Sequence, residues 1–217
     1  MKKYFTAFYS WLQLIVISPI KWTYIKGLYR NGKYWNLTNA DWDHLRTVLK
    51  PHYYIIVTYR KTHLTTYLEQ IASLILQGKF TRWTHAFLNM DNGKAKDDIQ
   101  YIFLESTAEG VHYSTFKQVF DCDSVGLIVP KGMTPKDWTD ENETAIAQDG
   151  KPYDALFDYH QDNKLSCVEL VRRALMGLPD YKTHFAKFEA LIQKEGHVLP
   201  QMLAECTDFQ IVWQVRR

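Results

Sequence analysis

Apolar and polar positions alternate with two different periods along this chain, and the switches between them mark its elements. Residues 4–20, "YFTAFYSWLQLIVISPI", carry no charge and follow Met1-Lys2-Lys3. The polar, turn-rich stretch "RNGKYWNLTNADWD" (30–43) marks a boundary. It divides an apolar helical appendage, residues 1–38, from a folded domain, residues 39–217. Asn39 or Asp41 is placed to cap a short helix that runs to Leu49 and is ended by Pro51. "YYIIVTY" (53–59) has the β-branched and aromatic content of a strand. Leu64, Tyr67, Leu68, Ile71, Leu74 and Ile75 recur at helical spacing up to Gly78. Strand patterns then cover 82–90 and 99–107, and the polar loop 91–98 joins them as a hairpin. A short strand at 127–130 precedes a helix over 134–150, with Thr134 as cap, Pro135 in the first turn and Gly150 at the end. A second helix spans 166–176, an irregular stretch follows, and "FQIVWQV" (209–215) closes as a strand. The class is α+β, with a small, mostly antiparallel sheet packed on helices.

Composition narrows the function classes. The 217 residues are 46% hydrophobic and 23% charged, enough apolar material for a real core. A net charge of +2, with basic residues dispersed, does not suit a nucleic-acid partner. The apolar start lacks a small-residue cleavage site and is shorter than the roughly 20 residues that span a bilayer. Residues 4–29 are therefore read as a membrane-interface helix or a docking element on a protein assembly. A signal anchor and a helix packed on its own domain are the remaining readings. Localisation stays open, with membrane association and incorporation into a virion both compatible. Cys122, Cys167 and Cys206 form neither a disulfide framework nor a zinc pattern, and no metal or cofactor is expected.

Candidate chemistry starts at "KLSCVELVRRAL". Ser166 followed by Glu169 is a capping box, which puts Cys167 at the first helical position. Unpaired N–H groups and the helix dipole favour a thiolate there. The same position also suits a small buried apolar residue, since Val171 and Ala174 share its face, and position alone leaves both readings open. Cys122, between two aspartates, and Cys206, near a helix end, are expected to be structural. A cysteine hydrolase needs an imidazole and a group that orients it. Seven histidines, among them His112 and His197, lie in polar, turn-like or loop contexts. His85 lies mid-strand, on the face of Trp83 and Phe87 by the two-residue period. With the hairpin loop centred between residues 94 and 95, paired residues sum to about 189–190, which sets His85 opposite Glu105. Glu105 is a carboxylate on an otherwise apolar strand face and needs a partner.

"TRWTHAFL", "FLESTAEGVHYSTF", "GKPYD" and "LSCVELV" occur in an order that resembles the circularly permuted papain-like amidases of the NlpC superfamily, the YiiX/YaeF-like group. The resemblance covers residues 45–215. It implies a permuted papain-like (NlpC-type) fold, to which the apolar N-terminal helix would be an addition. It also implies Cys167 as nucleophile, His85 as base, Glu105 as third member, and Tyr153 facing the cleft. Trp83 is carried along as a second substrate contact. The implied activity is amide hydrolysis through a thioester, with peptidoglycan peptides or lipid-like amides and esters as substrates. A structural component of a phage particle or membrane assembly that retains the fold is the alternative from another class.

Overall fold

Thr38 and Asp41 open the first helix by capping each other. The Thr38 amide donates to Asp41 Oδ2 at 2.7 Å, and the Asp41 amide donates to Thr38 Oγ1 at 3.2 Å. The cap is thus Thr38, with Asp41 inside the helix, rather than Asn39 or Asp41. The computed structural model describes residues 37–49, 54–60, 74, 81–90, 102–133, 135–154 and 162–216. The apolar segment 4–29, the hairpin loop 91–98 and, apart from Leu74, the helix expected at 64–78 lie outside the described residues. No helix among the described residues is long and apolar enough to cross a membrane.

The elements run in the order α1 (Asn39–Leu49), β1 (Ile55–Tyr59), β2 (His85–Asn89), β3 (Ile102–Thr107), β4 (Gly110–Thr115), α2 (Phe116–Val119) and β5 (Ser124–Pro130). They continue with α3 (Pro135–Ile146), α4 (Cys167–Leu175), α5 (Tyr181–His184), α6 (Ala186–Glu195), α7 (Pro200–Glu205) and β6 (Phe209–Arg216). The strands form a six-stranded sheet of order β4-β3-β2-β1-β5-β6 in which every pairing is antiparallel. The α+β class therefore holds. Two features depart from the periodicity. "GVHYST" is strand β4, and the stretch after residue 176, expected to be irregular up to the closing helix and strand that the resemblance implies in "VLPQMLAECTDFQIVW", carries two further helices before that one. Aromatic side chains hide the periodicity in α5 and the start of α6, and Pro200 begins α7 where it suits only a first turn.

Strand alternation gives the sheet two apolar faces. Ile55, Val57, Ala86, Leu88, Leu104 and Ile128 lie on one face, buried against Val168, Val171 and Leu175 of α4 and Phe188 and Ile192 of α6. Ile56, Phe87, Phe103 and Leu127 lie on the other, beneath Leu45 and Leu49 of α1 and Phe116 and Phe120. Edge-to-face contacts knit this second core, with Phe87–Phe103 at 5.7 Å and Phe103–Phe120 at 5.4 Å between ring centroids.

The start of β4 docks on the loop that leads to α4. The Val111 amide donates to the Lys151 carbonyl at 2.8 Å, and the Gly150 amide donates to the Val111 carbonyl at 3.0 Å. Gly110 makes this approach possible. Its φ is +95°, and a Cβ there would lie 2.6 Å from the Lys151 oxygen. Gly110→Ala is expected to lower stability by about 1–3 kcal/mol, read as an earlier urea midpoint at unchanged slope.

Candidate functional site

Cys167 begins α4 because Ser166 and Glu169 close the capping box that their spacing predicts. The Ser166 amide donates to Glu169 Oε2 at 2.6 Å, and the Glu169 amide donates to Ser166 Oγ at 3.4 Å. The thiol is buried, with 2% of the residue exposed, and the helix carries Val168, Leu170, Val171 and Ala174 into the same core. The entry to α4 is pinned from two sides. Ser106 Oγ of β3 donates to the Leu165 carbonyl at 2.5 Å, and the Leu165 amide donates to the Pro152 carbonyl at 3.0 Å. Tyr153 forms a parallel bridge with Leu165, which places it beside the strand-like entry to the cysteine helix.

His85 and Glu105 are hydrogen-bonded, Nε2 to Oε2, at 2.7 Å. The register is not the one the hairpin loop predicts. Glu105 stands opposite Phe87, so the pair sums to 192 and His85 reaches Glu105 diagonally. A shift of two residues preserves the face, so the contact survives the error. Trp83 does not share that face. Thr58 pairs with His85, yet the Thr84 amide also donates to the Thr58 carbonyl at 2.9 Å, so two residues of β2 oppose one of β1. This bulge turns Trp83 into the core with Ala86, against Gly126, where it is 2% exposed. Trp83, expected at the substrate cleft, packs in the core among the described residues.

Glu105 is 7% exposed and serves more than one partner. Ser114 Oγ donates to its Oε1, and His112 Nε2 lies 3.6 Å from the same oxygen, an ion-pair distance longer than a hydrogen bond. His112 stands directly opposite Glu105 across β3 and β4. Burial by itself would raise the Glu105 carboxyl. The approach of His112, the hydrogen bonds of His85 and Ser114, and the charge of His85 reverse this and hold it well below the usual range. His112 is raised, chiefly by its approach to Glu105 and against the opposing effect of its own burial. The polar context of His112 in the sequence gives no sign of this role. The signal that could have found it is the period-two placement of His112 and Ser114 in "GVHYST", once that segment is read as a strand.

The cysteine and the dyad converge on the same two strands from opposite faces. His85 and Glu105 share the face of Phe87 and Phe103, whereas Cys167 is buried with Ala86, Leu88 and Leu104 on the other. Ser106, next to Glu105, anchors the α4 entry at the level where β2 begins with His85. Chemistry that uses both groups would take place around this end of β2. The remaining thiols are structural in character. Cys122 is buried, and burial first, with Asp123 and Asp121 adding, pushes it up to about 12. Cys206 is also raised by burial. His197, in a polar context in the sequence, is buried. Among the described residues no group of three or more His, Cys, Asp or Glu side chains is arranged to hold a metal ion.

No protein-family model matches the chain, and no curated protein matches it. Among solved structures it is similar to metalloprotein YiiX from Escherichia coli O157:H7, with a TM-score of 0.56 and 16% identity. The similarity covers 77% of this chain and 99% of that one. The fold is therefore YiiX-like.

Two outcomes follow from the site's electrostatics. Glu105 titrates below its unfolded value of about 4.3, so its stabilisation is complete above that pH and is lost as pH falls through the folded value. Glu105→Gln should cost about 1.5–3 kcal/mol at neutral pH and lose less stability than the parent on acidification, as followed by urea denaturation across pH. Ser166→Ala should cost about 1 kcal/mol through loss of the α4 cap, measured in the same way.

Proposed function

We propose that this YiiX-like chain is a cysteine hydrolase that cleaves an amide bond, with Cys167 as nucleophile, His85 as base and Glu105 as orienting group. The observation that carries this reading is the 2.7 Å bond between His85 Nε2 and Glu105 Oε2. An ionised carboxylate only accepts, so Nε2 carries the proton and the lone pair of neutral His85 lies on Nδ1. A base oriented in this way is what a thiol needs, and the capped N-terminus of α4 favours the resulting thiolate.

In this reaction the Cys167 proton passes to His85 through a water at the start of β2, since the two side chains reach that end of the strand from opposite faces, and the sulfur attacks the carbonyl carbon. The C–N bond breaks, and the amine leaves with the proton from the imidazolium. Water, deprotonated by His85, then attacks the thioester; the C–S bond breaks and the acid departs. Amides at the start of α4 are suited to stabilise the oxyanion. Peptidoglycan peptides are the substrate class that the motif resemblance supports, and Tyr153, beside the entry to α4, is the residue assigned to contact them.

The similar YiiX structure is that of a metalloprotein. Here the donor set does not fit a metal: the Glu105 oxygens are engaged by His85 and Ser114.

Iodoacetamide labelling of the native protein, mapped by mass spectrometry, tests the triad. Modification is expected at Cys167 ahead of Cys122 and Cys206, and His85→Ala should slow it by about 10²-fold or more. Equal labelling of the three thiols, or a Cys167 rate indifferent to His85→Ala, would sink the hydrolase reading. Pre-treatment with a chelator should leave the rate unchanged.

A further inference from the structure

Glu105 faces two imidazoles, and the hydrogen-bond chemistry of the second one constrains its charge. His112 Nδ1 lies 3.0 Å from the Gly110 carbonyl oxygen. A carbonyl oxygen can only accept, so Nδ1 carries a proton. Neutral His112 would then turn the lone pair of Nε2 towards a carboxylate oxygen 3.6 Å away. Protonated His112 turns an N–H towards it instead. The arrangement thus favours the imidazolium, and Gly110, whose backbone is held against Lys151, fixes the ring from behind.

The charged groups facing His112 are Glu105 from β3 and Glu109 from the turn before β4, with His85 of β2 beyond the Glu105 carboxylate. The carboxylate divides its oxygens between the two rings. Oε2 takes His85, while Oε1 takes Ser114 and the His112 charge.

We propose that His112 is a positioning residue that acts through Glu105, its protonation setting how much of the carboxylate's charge His85 receives. With His112 charged, Glu105 is partly neutralised and the His85 imidazolium meets a second cation across the carboxylate. When His112 loses its proton, the full negative charge falls to His85 and its imidazolium is stabilised. Ser114 holds the carboxylate in the orientation that makes the division possible. The β4 start that carries His112 is tied to Gly150 and Lys151, and Pro152 receives the Leu165 amide, so one loop connects this histidine to the entry of the cysteine helix. The significance for catalysis rests on the hydrolase reading; the coupling between the two rings does not.

The test is an NMR titration of the imidazole Cε1–H resonances in the full chain. In the parent protein the His85 resonance should show a second inflection at the His112 midpoint. In His112→Gln that inflection should vanish, because the neighbouring charge that causes it is gone. A His85 curve with a single inflection in the parent, or one unmoved in His112→Gln, would overturn the coupling. The parent titration decides the matter even where the variant fails to fold. A Cys167 labelling rate indifferent to His85→Ala would remove the hydrolase while leaving this coupling measurable, so the two failures are distinguishable.

Discussion

A carboxylate buried in a β-sheet has to be surrounded by donors, and that requirement organises three adjacent strands of this protein. Glu105 sits on a strand whose neighbours on the same face are aromatic, where an unpaired charge would be strongly destabilising. Donors come from both sides: His85 from β2, and His112 and Ser114 from β4. The register of all three strands must therefore bring these four side chains together. A one-residue slip would turn Glu105 into the α4 core and Leu104 onto the face that holds the polar cluster.

The other face of the same strands carries the opposite requirement. Ala86, Leu88 and Leu104 offer an apolar surface to α4, and the Ser106 bond to Leu165 sets where that helix begins. Glu105 and Ser106 are consecutive, so one dipeptide serves the polar cluster on one side and the cysteine helix on the other. The bulge at Thr84–His85 lets Trp83 fill the space over Gly126 while His85 still faces Glu105. Without that extra residue, period-two alternation would force Trp83 and His85 onto the same side.

Much of this was legible in the residues, for identifiable reasons. A capping box is local, so Ser166 and Glu169 place the start of α4 without reference to the rest of the chain. The pairing of His85 with Glu105 was legible because a lone carboxylate among aromatics demands a partner. The exact register was not legible, because loop length alone does not fix it, and the answer differs by two residues. Strand β4 escaped notice because "GVHYST" alternates apolar residues with a histidine and a serine that look solvated until Glu105 is placed against them.

By itself, the sequence determined those properties that depend on near neighbours in the chain: the α+β class, the capped helix at Cys167, and the alternation that puts His85 and Glu105 on apolar strand faces. Tertiary structure alone decided which groups share the carboxylate, that Trp83 is core, and that the thiol and the dyad reach the end of β2 from opposite faces. The physical reason is range. Caps and periodicities are settled within a few residues, whereas register, bulges and the sharing of one buried charge depend on strands that meet only when the sheet closes.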